Sequence, residues 1–222
     1  MKISASTISF FKNFSTINQS IVIKPGNQLA TMDNGISIRA MVTVPEEFPH
    51  RVAIYDLQKF LGILAMMGDC EVEFKENKAV LKQGKQKVNF MYSNANLIKE
   101  ASTKRPKSNE VFTATLTDKD ILSIIKSSAV LASDVLSIVG ENGVATLYIG
   151  TPKSDNYGSS ADSFQLDLGP CEKEFDLRIP MEIFKVIPGA YKLVVDSNLF
   201  IHLASVDTSL EYWIAAQPDS KV

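Results

Sequence analysis

The stretch TDKDILSIIKSSAVL, Thr117–Leu131, decides how the rest of the chain is read, because it repeats the design of SASTISFFKNFSTI, Ser4–Ile17, about half a chain earlier. In each, a hydroxyl residue stands where a helix would start, and apolar residues follow at helical spacing. Thr117 and Asp120 form a capping-box-like opening in which aspartate replaces the usual third-position glutamate. Ile121, Leu122, Ile124, Ile125 and Ala129 are expected on the buried side of this helix. In the earlier segment Ile8, Phe10, Phe11, Phe14 and Ile17 gather in the same way at about 100° per residue.

Outward from this pair the correspondence continues. Ile21–Gly35 answers to Val135–Gly150, Ile36–Val44 to Ser163–Leu168, Val52–Leu64 to Glu174–Ile187, and Cys70–Gly84 to Tyr191–Ser205. A repeat of this length is too long for a solenoid unit and suits a duplicated domain. Ile36, Ile38, Ala40, Val42 and Val44 alternate with polar neighbours as a half-buried strand does. Asp56 opens a short helix with Leu57, Phe60, Leu61, Ile63, Leu64 and Met67 on its apolar face, and Pro180 is placed to open a last helix that Pro188-Gly189 ends. Strands are expected over Cys70–Phe74, Ala79–Leu81, Val88–Tyr92, Phe164–Leu168, Phe175–Ile179 and Leu210–Ala216, and Thr151–Asp162 reads as a mobile hairpin tip. The polar run from Ser93 to Glu110 has a linker's composition, which gives two similar α+β domains, 1–108 and 109–222.

Of the 222 residues, 45% are hydrophobic, enough for two domain-sized cores. Cys70 and Cys171 are single and far apart, giving neither a disulfide framework nor a paired-cysteine metal site and pointing to a reducing compartment. No stretch approaches the roughly 18 apolar residues of a membrane span, and Lys2 is not followed by an apolar run of signal length, so a soluble cytoplasmic protein with no membrane partner is expected. A net charge of −2 and a pI near 5.8 argue against general coating of nucleic acid while leaving room for a local basic surface.

Catalysis needs a nucleophile with a base, a metal cluster or a phosphate cradle. The two histidines, His50 and His202, have no partner at ligand spacing and read as surface or satisfied-core residues. Phosphate loop, dinucleotide fingerprint and nucleophile elbow are all missing from the sequence. Asp118 and Asp120 sit where capping and the helix dipole account for them. The expectation is a non-enzyme with no catalytic residues, no metal ligands and no cofactor.

Lys12, Lys59, Lys119, Lys126 and Lys185 stand away from the apolar sides of four expected helices. Lys12 and Lys185 lie about 160° from the centres of their apolar arcs, and Lys119 and Lys126, seven apart, share one stripe. Singly, each is what a solvated helix face carries. Their recurrence in a duplicated design would let four helices share one inner face within an outer layer of antiparallel sheets. Such a face meets phosphates loosely, with strong salt dependence and no sequence preference. Two readings stay open on the residues alone: a DNA tether, and a non-catalytic two-domain protein-interaction adaptor that does not encircle DNA.

Phe11-Lys12-Asn13-Phe14-Ser15-Thr16-Ile17-Asn18 and Val52-Ala53-Ile54-Tyr55-Asp56-Leu57-Gln58-Lys59-Phe60-Leu61-Gly62-Ile63-Leu64 resemble segments of the sliding clamps, the DNA polymerase processivity factors, of T-even-type bacteriophages. Pro188-Gly189-Ala190-Tyr191-Lys192-Leu193 and Tyr212-Trp213-Ile214-Ala215-Ala216 are similar to the matching second-domain segments. The resemblance implies a homotrimeric ring of six clamp domains around duplex DNA, opened and loaded by an ATP-driven clamp loader, tethering the replicative DNA polymerase in the cytoplasm of an infected bacterial host. It adds late-transcription factors to the candidate partners. Within it, Lys12 lies in a matching motif as a pore residue, while Lys59, Lys119, Lys126 and Lys185 rest on helix geometry. The family's partner-peptide pocket maps to Val111, Leu131, Val135, Ile214, Ala216 and Pro218, each of which also reads as an ordinary core or strand residue. For the ring joint, Val88, Phe90 and Tyr92 of one subunit are expected beside Phe164, Leu166 and Leu168 of the next, because an uncapped edge strand needs a partner and head-to-tail contacts must close.

Overall fold

Ser4 and Thr117 both open helices, as their sequences require. α1 spans Ala5–Ile17, with the Ser4 hydroxyl accepting from Thr7 N at 3.2 Å. α3 spans Asp118–Leu131 and has the reciprocal capping box, Thr117 Oγ1 accepting from Asp120 N while the Asp120 carboxylate accepts from Thr117 N at 2.8 Å. Asp56 caps α2, Leu57–Met67, whose buried side is Leu57, Phe60, Leu64 and Met67. On α3 the buried residues are Ile121 and Ile124. Ala129 is exposed, contrary to expectation, because it lies about 110° around the helix from that stripe.

The computed structural model describes residues 1–150 and 162–222, and the chain divides into two units, Met1–Arg105 and Pro106–Val222. The first unit contains α1, β1 (Ile21–Ile23), β2 (Gly26–Met32), β3 (Ile38–Phe48), β4 (Val52–Ile54), α2, β5 (Glu71–Phe74), β6 (Lys78–Gln83) and β7 (Gln86–Met91). The second begins with β8 (Glu110–Leu116) and continues with α3, β9 (Val135–Glu141), β10 (Val144–Ile149), β11 (Phe164–Pro170), β12 (Phe175–Pro180), a 3-10 turn (Met181–Ile183), β13 (Tyr191–Asp196), β14 (Phe200–Ser205) and β15 (Glu211–Ala215). After β8 the same order runs through both units: a helix, four strands, a helical segment and three strands. The pairing repeats too. β1 pairs with β4 and β2 with β3, as β9 pairs with β12 and β10 with β11, all antiparallel. β5-β6-β7 form one antiparallel meander, and β13-β14-β15 another, with β8 added on β13. The hairpin tip expected over Thr151–Asp162 lies, except for Asp162, outside the described residues.

One expected element is corrected. Pro180 ends β12, paired with Val135, and only Met181–Ile183 turn helically before Phe184. The segment between Pro180 and Pro188 is too short to offset helix nucleation, and it is rich in β-branched residues that favour extension. Phe184 and Val186 are buried on either side of the half-buried Lys185, so Lys185 is not on a helix. Ile36 also leaves its expected strand. It is 63% exposed at φ 61°, in a loop held open to Ser37 because Asp33 Oδ1 accepts from Ser37 N and Ile38 N.

Aromatic rings fill the first core: Phe11 meets Phe60 edge-on at 6.5 Å, and Phe60 lies 5.1 Å from Phe90 of β7. In the second unit, Gly140 allows β9 to approach β12 closely, since a Cβ there would stand 2.6 Å from the Phe175 ring. Asp196, fully buried at the end of β13, accepts from Ser108 Oγ and Asn109 N, both at 2.7 Å, and so ties the incoming chain to this sheet. Burial pushes its carboxyl up, but those bonds and two from Asn198 outweigh it and hold the group below the usual carboxylate range.

Candidate nucleic-acid interface

The three helices each bury an apolar side and leave a polar one. On α1, Phe11, Phe14 and Ile17 point into the core while Ser9, Lys12 and Thr16 are exposed. Ser15 and Thr16 turn their hydroxyls back onto the Lys12 and Asn13 carbonyls, which leaves the Lys12 ammonium as the charged group of this face. On α2, Gln58, Lys59, Gly62, Ala65 and Met66 are exposed. On α3, Lys119 and Lys126 are exposed about 10.5 Å apart along one stripe, with Ser123 and Ser127 half-buried beside it. None of Lys12, Lys59, Lys119 and Lys126 is paired with a carboxylate among the described residues. The structure places Lys12 and Lys59 on helices that pack together through Phe11 and Phe60, and Lys119 and Lys126 on one helix of the other unit. Lys185 has an interaction of its own in an extended segment and does not belong with them.

Glu46 carries no sequence signal that ties it to this face, yet it fixes where α1 starts. From β3, 7% exposed, its carboxylate accepts from Ser4 N and, at 2.6 Å, from Thr7 Oγ1. Burial alone would raise this carboxyl, but the bonds from the Ser4 and Thr7 groups prevail and hold it below its ordinary range. A buried anion at a helix start also suits the helix dipole. No spacing marks Glu46, because its partners are about 40 residues away in sequence.

The residues expected for a partner pocket fall in separate places. Leu131 and Val135, both half-buried, flank the turn after α3, where Ala132 adopts the left-handed conformation and Ser133 N donates to Ser128 O. Ala216 and Pro218 leave β15 and run beside β12, Gln217 N donating to Arg178 O at 2.7 Å. Val111 is half-buried on β8, three strands from β15 in the order β15-β14-β13-β8, roughly 14 Å away. Ile214 is fully buried, so it is a core residue and not part of an open pocket wall. For the expected joint, β7 and β11 each take the outermost position in their sheets. Val88, Tyr92, Phe164, Leu166 and Leu168 are half-buried and Phe90 is buried, on the side of each strand that faces a helix.

Among the described residues no group of three or more His, Cys, Asp or Glu is placed to hold a metal ion, and no helix is long and apolar enough to cross a membrane. His50 is exposed, while His202 bonds to Glu211 at 2.9 Å and stacks on Trp213 at 4.8 Å.

In fold, the chain is similar to solved DNA clamps. Against the proliferating cellular nuclear antigen of Entamoeba histolytica the TM-score is 0.70 at 14% identity, covering 97% of each chain. Against the A. fulgidus protein of the same name, solved with the C-terminal region of FEN-1 bound, it is 0.67 at 13% identity over 96% of each. A PCNA2–PCNA3 complex from Sulfolobus tokodaii gives 0.66 at 16% identity over 98% of this chain and 99% of the other. The class is therefore the two-domain DNA-clamp fold.

Residues 3–99 match the family model described as DNA polymerase processivity factor. The sliding clamp of Vibrio phage KVP40 is 30% identical over 227 aligned positions, covering 98% of this chain and 99% of its own, and that of Enterobacteria phage T4 is 27% identical over 88% and 87%. The chain belongs to the phage sliding-clamp family of DNA polymerase processivity factors, which are not enzymes.

Proposed function

We propose that three copies of this chain close head to tail into a ring that encircles duplex DNA and tethers the replicative DNA polymerase, after loading by an ATP-driven clamp loader. The observation that carries this reading is the set Lys12, Lys59, Lys119 and Lys126: exposed ammonium groups without carboxylate partners among the described residues, on helices of both units, among small polar residues. Ammonium groups so placed attract phosphates without reading base edges, and the grip weakens with salt. A ring that touches DNA loosely still holds a polymerase by topology, since the bound enzyme is kept at high effective concentration near the primer end. Partner segments dock on the second unit near Leu131, Val135, Ala216 and Pro218. The protein acts in the cytoplasm of an infected bacterium, and late-transcription factors are further partners of the same ring.

The test is solution mass together with polymerase run length on primed circular DNA, with loader and ATP supplied. A trimer that lengthens the run is expected. A monomer that leaves run length unchanged rejects the ring.

A further inference from the structure

The two units carry opposite charge. Residues 1–105 hold 14 Lys and Arg against 9 Asp and Glu, and residues 106–222 hold 9 against 16, so formal charges of +5 and −7 make up the chain's −2. The segregation is sharpest at the two outermost strands. From Lys78 to Met91, through the β6–β7 hairpin, Lys82, Lys85 and Lys87 follow with no acid among them. From Asp162 to Glu172, over β11, Asp162, Asp167 and Glu172 occur with no Lys or Arg. Lys85, Lys87, Asp162 and Asp167 are all exposed, and none has an ion-pair partner among the described residues.

We propose that this charge sets the partner and register of the joint: β7 of one copy pairs antiparallel with β11 of a second copy, with Lys87 opposite Asp167. The proposal rests on the ring reading above. In this register Val88 meets Leu166 and Phe90 meets Phe164, apolar sides together, while Lys87-Asp167 and Asn89-Gln165 share the solvent side. Parallel pairing of the same two charges would set Phe90 against Pro170 and leave Phe164 opposite Gly84, losing the apolar match. A slip of one residue turns the apolar side chains to the wrong face, and a slip of two separates the charges. Two β7 edges repel one another, as do two β11 edges, so head-to-head association is disfavoured and only the closing, head-to-tail contact remains.

Sedimentation of the full chain tests this with Lys87→Glu, Asp167→Lys and the chain carrying both. At low salt each single reversal is expected to raise the concentration of half-assembly about tenfold, and the doubly reversed chain to return to within about threefold of the original. Raising the salt weakens the unmodified ring and narrows these differences. An equal mixture of the two singles places opposite charges only between unlike copies. A three-membered ring must then contain one like-charged joint, so the mixture gives pairs rather than closed rings. Single reversals that assemble like the original, or a doubly reversed chain that fails to recover, overturn the charge register while the trimer itself stands. An unmodified chain that stays monomeric at every concentration overturns the ring reading and this proposal together.

Discussion

Replacing Glu46 by alanine is expected to destabilise the first unit by about 3–5 kcal/mol. The figure follows from the two bonds its carboxylate accepts, from Ser4 N and Thr7 Oγ1. A hydrogen bond to a charged group contributes roughly 1.5–3 kcal/mol, and here both donors would lose their acceptor at a buried site. The loss stops short of unfolding because the Ser4 hydroxyl still accepts from Thr7 N and keeps α1 capped. Urea titration followed by far-ultraviolet circular dichroism at neutral pH reads the change, with Glu46→Gln falling between alanine and the original. The pH dependence has a definite sign. Because the folded carboxyl is held below its ordinary value, its contribution is complete above the unfolded pKa of about 4.3 and is lost as pH falls through the lower folded value. Glu46→Ala should therefore flatten the acid limb of the stability curve in that window. An alanine variant within about 1 kcal/mol of the original, or one with the same acid limb, would refute the role of this carboxylate in fixing the start of α1.

Gly140→Ala places a methyl group 2.6 Å from the Phe175 ring and 2.7 Å from the Lys173 carbonyl, so a loss of about 1–3 kcal/mol in the second unit is expected on thermal or urea unfolding. Lys12→Glu, and Lys119→Glu with Lys126→Glu, should leave the assembled mass unchanged and impair loading on DNA. The slope of log affinity against log salt should fall by about 0.9 for each lysine that had met a phosphate; unaltered loading and slope would remove these lysines from the DNA-facing surface. Pro218→Asp, at an exposed position beside β12, should weaken capture of polymerase and loader together in pull-downs from defined components. Unchanged capture of both would move the docking site elsewhere.

The duplicated plan is legible in the sequence because its signals are local. Capping residues such as Ser4 and Thr117 sit within one turn of the groups they satisfy, and the period of Phe11, Phe14 and Ile17 is written in consecutive turns. The same locality explains the failure at Pro180: the proline fits a helix start, but the short interval before Pro188 and the pairing of Pro180 with Val135 decide the matter, and that pairing is a tertiary fact. Strand β3 runs on past Pro45 to Phe48, with Glu46 on its buried side, where sequence would place a surface carboxylate. The exposed lysines can be read from a helical wheel because each lies opposite an apolar arc. The pocket residues cannot, since the burial of Ile214 depends on its pairing with Ile201 across the sheet rather than on its neighbours in the chain.

The Asp196 carboxylate sets how the second unit answers to tension. The chain enters that unit at Ser108 and Asn109, and both are bound to a side chain at the end of β13, a strand laddered to β8 on one flank and β14 on the other. Drag on the incoming segment, as from a travelling enzyme, is thereby delivered along the strands of an interior pair. Many ladder bonds must then yield at once in shear, where a pull on a lone outer strand would unzip them singly.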